Sequence, residues 1–293
     1  MSAAVQNEEV PATGPTATAA MFEMQAGQTF AVRHRLARQD LGEGMQLWRL
    51  VWVLGWLDIK LRYRGSVLGP FWLTLSTAVM VGALGFLYSN LFRTNLQTYL
   101  PFLALSMVLW GYVSTLVGDA CMAFTQAEGM IRSIRMPFSL YAARVVVRNL
   151  MVLAHNVVVI VAVFVIFRIW PGATALLALP ALLLWLLDST AIALLLGAFC
   201  TRFRDVPPIV ASVMQIAFFI SPIIWRPELL KGKQWVLPYN PFYTLLEIVR
   251  GPLLGTVPSA STWISAGVFS VLMCGAAWVL FVRVRGRIAF WVQ

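Results

Sequence analysis

The sequence predicts an all-α membrane protein: six transmembrane helices, an N-terminal amphipathic interface helix ahead of them, and short re-entrant helices before the last span. Three observations carry this. Of 293 residues, 60% are hydrophobic and only 12% charged, with a mean hydropathy of +0.78, whereas soluble domains carry about 25% charged residues. Twelve Trp and eighteen Phe add apolar surface that a soluble core would not hide. The charges that remain are separated by runs long enough for a bilayer, which needs about 20 apolar residues per helix.

Taken in order, residues 1–30 are rich in Ala, Thr and Pro and contain Glu8 and Glu9. They lack a basic segment followed by an apolar one, so no cleaved signal peptide is expected. A disordered cytoplasmic tail over 1–40 is predicted, with a membrane domain over 41–293. Leu47, Leu50, Leu54, Leu57 and Leu61 then recur at three- and four-residue steps, beside Trp48, Trp52 and Trp56. The apolar run is too short to cross and predicts a helix lying in the membrane interface. Asp58 and Arg62, four apart, are placed to pair along it. The stretch DIKLRYRGSVLGPFW follows, with Asp58, Lys60, Arg62 and Arg64 at every second position. Pro70 suits the first position of a helix. Spans are expected at about 70–92, 99–121, 145–167, 173–200, 206–225 and 262–282.

Six spans put both termini on one side. The segments 1–66, 122–148, 201–205 and 283–293 hold sixteen of the 22 basic residues, and the opposite side holds six. The excess places both termini in the cytoplasm. Between the last two spans, PYNPFYTLLEIVRGPLLG carries Glu247 and Arg250 between Pro and Gly residues. It predicts short helices dipping back into the outer half of the membrane, where protein must bury their irregular backbone.

Several chemistries are excluded. The net charge of +10 is spread beside the spans and not gathered on a polar domain, which argues against nucleic acid. Cys121, Cys200 and Cys274 have no metal-ligand spacing and read as packing residues. No phosphate-binding loop occurs; Gly232-Lys233 lacks the upstream Gly and the following hydroxyl. His155, in a span beside Asn156, is expected to hydrogen-bond within the bundle. Asp188 sits mid-span, where a carboxylate costs at least about 2.5 kcal/mol, so a structural partner is expected. Gly111, Ser114, Thr115 and Gly118 recur at helical spacing, as do Ser212, Gln215, Phe219 and Pro222. Each set is read equally as helix adhesive or channel lining. In AEGMIRSIRMPFSLYAAR, one short turn places Ile131 and Ile134 on one side and Arg132 and Arg135 on another. A helix that short is marginal in water and must rest on something.

Four stretches, DIKLRYRGSVLGPFW, MIRSIRMPFSL, TRFRDVPPIVASVMQIAFFISPIIW and YNPFYTLLEIVRGPLLG, occur in this order. Together they resemble the ABC-2 permeases that export polysaccharides, the O-antigen and teichoic-acid branch in particular, over roughly residues 40–290. The resemblance implies a homodimeric channel in the bacterial inner membrane. Two separate ATPase subunits would hold ATP and Mg, with no cofactor on this chain. It implies that Arg62, Arg64, Gly69 and Pro70 form the entrance for an undecaprenyl-diphosphate head group, which Arg binds through paired N–H donors. Glu128, Ile131, Arg132 and Arg135 would form the coupling helix docked in the ATPase. Asn240, Pro241, Phe242, Glu247 and Arg250 would form the outer gate. Trp110, Phe218 and Phe219, with Ser114, Thr115 and Gln215, would line the channel. Other readings are an exporter of another lipid-linked glycan, small lipid or drug, and a membrane-embedded glycosyl or acyl transferase. The transferase would need an acidic metal motif or a His-Asp pair on the cytoplasmic face, and the sequence has neither.

Overall fold

A computed structural model describes residues 29–66, 69 and 71–292. The expectations for residues 1–28 and for Pro70 lie outside the described residues. The helices are α1 (Phe30–Gln46), α2 (Trp48–Arg62), α3 (Phe71–Leu91), α4 (Leu96–Cys121), α5 (Glu128–Ser133) and α6 (Phe138–Ile166). They continue with α7 (Ala178–Arg202), α8 (Val206–Ile220), α9 (Pro241–Leu253), α10 (Ala260–Val284) and α11 (Ile288–Trp291). Among the described residues there is no strand. Central α4 packs against α3, α6, α7, α8 and α9.

Among the described residues, five segments are long and apolar enough to cross a membrane: Phe71–Leu91, Leu96–Cys121, Phe138–Ile166, Ala173–Arg202 and Ala260–Trp291. The sixth expected crossing is shorter than predicted. Helix α8 has 15 residues, about 22 Å at 1.5 Å per residue, against a hydrocarbon core of about 30 Å. Ser221 to Trp225 continue it as irregular backbone. Side chains from elsewhere occupy its carbonyls: Arg250 Nη1 donates to Pro222 O at 2.7 Å and Tyr99 Oη to Ile224 O at 2.6 Å. Protein thus replaces the missing helical ladder, as membrane depth requires.

The N-terminal region differs from its sequence reading. The tail expected to reach residue 40 is helical from Phe30, because Ala37, Asp40 and Gly44 of α1 are buried against the bundle. A Cβ on Gly44 would stand 2.2 Å from Ser139 Oγ, so α1 approaches the start of α6 only because it has none. On α2 the buried positions are Val51, Gly55 and Ile59, facing α6. The leucine stripe therefore divides: Leu47, Leu50 and Leu54 pack half-buried, while Leu57 and Leu61 stay exposed.

The tryptophans Trp48, Trp52 and Trp56 are also exposed. The start of α6 has no capping side chain of its own at Pro137. Asp40 supplies the cap from α1, accepting from Phe138 N at 3.1 Å and Ser139 N at 2.9 Å. Arg285, past the end of α10, donates Nε to the same carboxylate at 2.7 Å. One buried acid thus joins the first helix, the start of α6 and the end of α10.

Candidate functional site

A groove of about 440 Å³ runs between α4 and α8. Helix α4 lines it from Trp110 to Cys121, about 17 Å along the axis. Five of the six residues expected to line a channel surround it: Trp110, Ser114, Gln215, Phe218 and Phe219. Thr115 is not in the lining, and its hydroxyl donates to Gly111 O of its own helix at 2.7 Å. Trp110 meets Phe218 at 5.9 Å and Phe242 at 5.5 Å between ring centroids, so an aromatic cluster closes one end.

That end is built by the return segment. A 3-10 turn, Gln234–Tyr239, leads into α9, a single helix where a helix pair was expected. Asn240 caps it, its Oδ1 accepting from Phe242 N at 3.0 Å and Tyr243 N at 3.2 Å. Its Nδ2 donates to Ser221 Oγ at 3.0 Å, tying the return segment to the break after α8. Phe242 contacts Trp110 midway along α4, and Pro252 O accepts from Thr174 Oγ1 at 3.2 Å at the far mouth. Helix α9 therefore climbs from mid-bundle to the far surface. Arg250 is 1% exposed and fully engaged, with Ser106 Oγ at 2.7 Å, Pro222 O, the Glu247 carboxylate and the Phe102 ring. It is a cross-brace in this structure and not a free charge at an opening.

A charged cluster lies near the other end of the groove, outside its lining, where α2 and α6 meet the opposite side of α4. Arg144 grips Asp58 through Nε at 2.7 Å and through Nη2. Buried Arg148 lies 3.4 Å from Asp58 and 2.9 Å from Asp119. Asn149 Nδ2 also donates to Asp119, at 2.9 Å. Asp58 therefore pairs across to α6 and not with Arg62, as helical spacing had led one to expect. Arg62 reaches Asp119 at 3.6 Å. Burial pushes the neighbouring Tyr63 phenol above its ordinary range, with Arg62 pulling the other way. Arg64 is exposed, in a turn whose Gly65 and Gly69 both take positive φ, 85° and 54°. The sequence reading did not assemble this cluster. The signal was present: Arg144 and Arg148 are four apart inside a span and oblige carboxylates opposite them.

On α5, Arg132 and Glu128 pair with each other at 2.8 Å. Ile131 is 3% exposed, packed into the protein's own core, while Ile134 is exposed. The two isoleucines expected on one face are thus divided, and Ile131 is not available to dock elsewhere in this conformation. Glu128, Arg132, Ile134 and Arg135 form the exposed side. Deeper in the bundle, Asp188 accepts from Ser270 Oγ at 2.7 Å, and His155 Nδ1 is 2.7 Å from Met151 O.

A model of the ABC-2 type transporter family matches residues 49–254, from the second helix to the end of α9. The chain belongs to the ABC-2 type transporter family. This ABC-2 chain is 24% identical over 236 residues to the O-antigen export system permease protein RfbA of Myxococcus xanthus, covering 79% of this chain and 91% of that one. It is 21% identical over 191 residues to an O-antigen export system permease protein RfbA of Klebsiella pneumoniae, covering 64% and 74%. A second Klebsiella protein of that name aligns over 192 residues at the same identity. The matched region of the ABC-2 chain contains the groove, the Arg62, Arg144 and Arg148 cluster and the return segment. It is a multi-pass membrane permease of this family.

Proposed function

We propose that this chain is the transmembrane subunit of an ATP-driven exporter that moves an undecaprenyl-diphosphate-linked polysaccharide of the O-antigen kind. It works as a homodimer with two ATPase subunits, its termini and basic end in the cytoplasm. The observation that carries the reading is the groove itself, aromatic at the end where Phe242 of the return helix meets Trp110, with three arginines beyond its other end on the α2 and α6 side of α4. Aromatic faces suit sugar rings, and the arginines suit a diphosphate. In this reading α8 and its irregular continuation complete a sixth crossing, and the exposed side of α5 receives the push of the ATPase. Similarity to proteins named as O-antigen export permeases supports the glycan class.

Two experiments test it. In an export assay, R62Q and R64Q are expected to reduce export by about tenfold while leaving a C-terminal topology reporter unchanged, since five other basic residues precede them. Inverted topology would make these charges orientation signals only, and undiminished export would remove them from the entrance. The double variant R132E, R135E should insert normally, lose co-purification with the ATPase and stop exporting. Retention of both at the parental level would place the coupling surface elsewhere.

A further inference from the structure

Three guanidiniums where α2, α4 and α6 meet, on Arg62, Arg144 and Arg148, face two carboxylates, on Asp58 and Asp119. Asp58 is occupied by Arg144 and, more loosely, by Arg148. The Oδ2 of Asp119 is occupied by Arg148 and Asn149, each at 2.9 Å. Arg62 is left with Asp119 Oδ1 at 3.6 Å, beyond hydrogen-bonding distance. It is therefore the unbalanced cation of the cluster. Its side chain is 43% exposed, against 7% for Arg148. A guanidinium presents five donors, and one long ion pair leaves most of them unused.

The placement of Asp119 matters as much as the charge count. It sits on the side of α4 turned to α6 and not to the groove, and its carboxylate is held by a buried arginine and an asparagine of α6. Arg62 is the last residue of α2 and precedes a turn with positive-φ glycines. A long side chain at such a place keeps its rotamer freedom unless something fixed attracts it. Asp119 is that fixed group, and at 3.6 Å it attracts the guanidinium without using up its donors.

We propose that Asp119 is a positioning residue that holds Arg62 at the charged cluster where α2, α4 and α6 meet, leaving its remaining N–H donors to a diphosphate. This rests on the head-group reading of Arg62 given above. The test is a double-mutant cycle on the purified full-length chain in lipid nanodiscs, with farnesyl diphosphate as the titrated probe and a melting curve for each variant. R62Q is expected to weaken binding about tenfold. D119N should weaken it several-fold alone and add nothing on the R62Q background, because no guanidinium is then left to position.

Equal losses from D119N on both backgrounds would mark a structural effect and overturn the proposal. Parental binding by D119N would overturn it too, while leaving the head-group reading intact. Parental binding by R62Q would overturn that reading and this proposal with it. Should D119N fail to fold, with Arg148 deprived of a partner, D119E keeps the charge and moves the carboxylate by about 1.5 Å. It is expected to show the same background-dependent loss, and undiminished binding in D119E would overturn the proposal.

Discussion

Arg250→Met is expected to destabilise the protein by about 3–5 kcal/mol, read as a lower midpoint of denaturation by SDS in mixed micelles. The side chain is 1% exposed and donates to Ser106 Oγ and Pro222 O at 2.7 Å, and to Glu247 through Nε at 3.0 Å. Methionine fills the volume but offers no donor. It leaves Pro222 O unsatisfied inside the membrane region and Glu247 without its partner, the situation in which breaking a buried pair costs most. Removing both charges tests the mechanism. E247L, R250M should recover part of the loss, because an apolar pair leaves no stranded carboxylate. A single variant as stable as the parent would show that the brace contributes nothing.

Asp40→Ala is expected to cost about 2–4 kcal/mol, from one lost helix cap at about 1 kcal/mol and one stranded arginine. The first measurable change should be faster hydrogen exchange at the amides of Phe138 and Ser139, which lose their acceptor. D40N keeps an acceptor for one of these amides but cannot balance Arg285, so it should fall between alanine and the parent. If exchange at Phe138 and Ser139 is unchanged in D40A, the cap is supplied by something else.

The five long apolar helices were legible because charge-free runs are a strong signal, and the start of α6 was misplaced because of charge. Helix α6 begins at Phe138 and not near residue 145, because Arg144 and Arg148 lie inside it. A sequence window counts those charges against a membrane helix; only the structure supplies Asp58 and Asp119 to neutralise them. Of the small and polar side chains that recur at helical spacing on α4 and α8, Ser114, Gly118, Gln215 and Phe219 face the groove, while Gly111, Thr115, Ser212 and Pro222 do not line it. Ile131 was misplaced because pairing it with Ile134 assumed an extended face, whereas the helix ends between them. Helix α1 was missed because its buried stripe is Ala37, Asp40 and Gly44, none of which stands out in a hydrophobicity profile. Asp40 and Arg285 are 245 residues apart, and no local pattern links them.

That distance also sets a schedule for the nascent chain. A ribosome adding 5–20 residues per second needs roughly 5–20 s after Asp40 before Ser139 emerges, and roughly 12–50 s before Arg285 does. Until Ser139 emerges the first helix has neither partner, and from then until Arg285 is made its acid caps α6 with no cation beside it. Its docking can therefore begin on α6 early but is completed late in biogenesis, once α10 has been made.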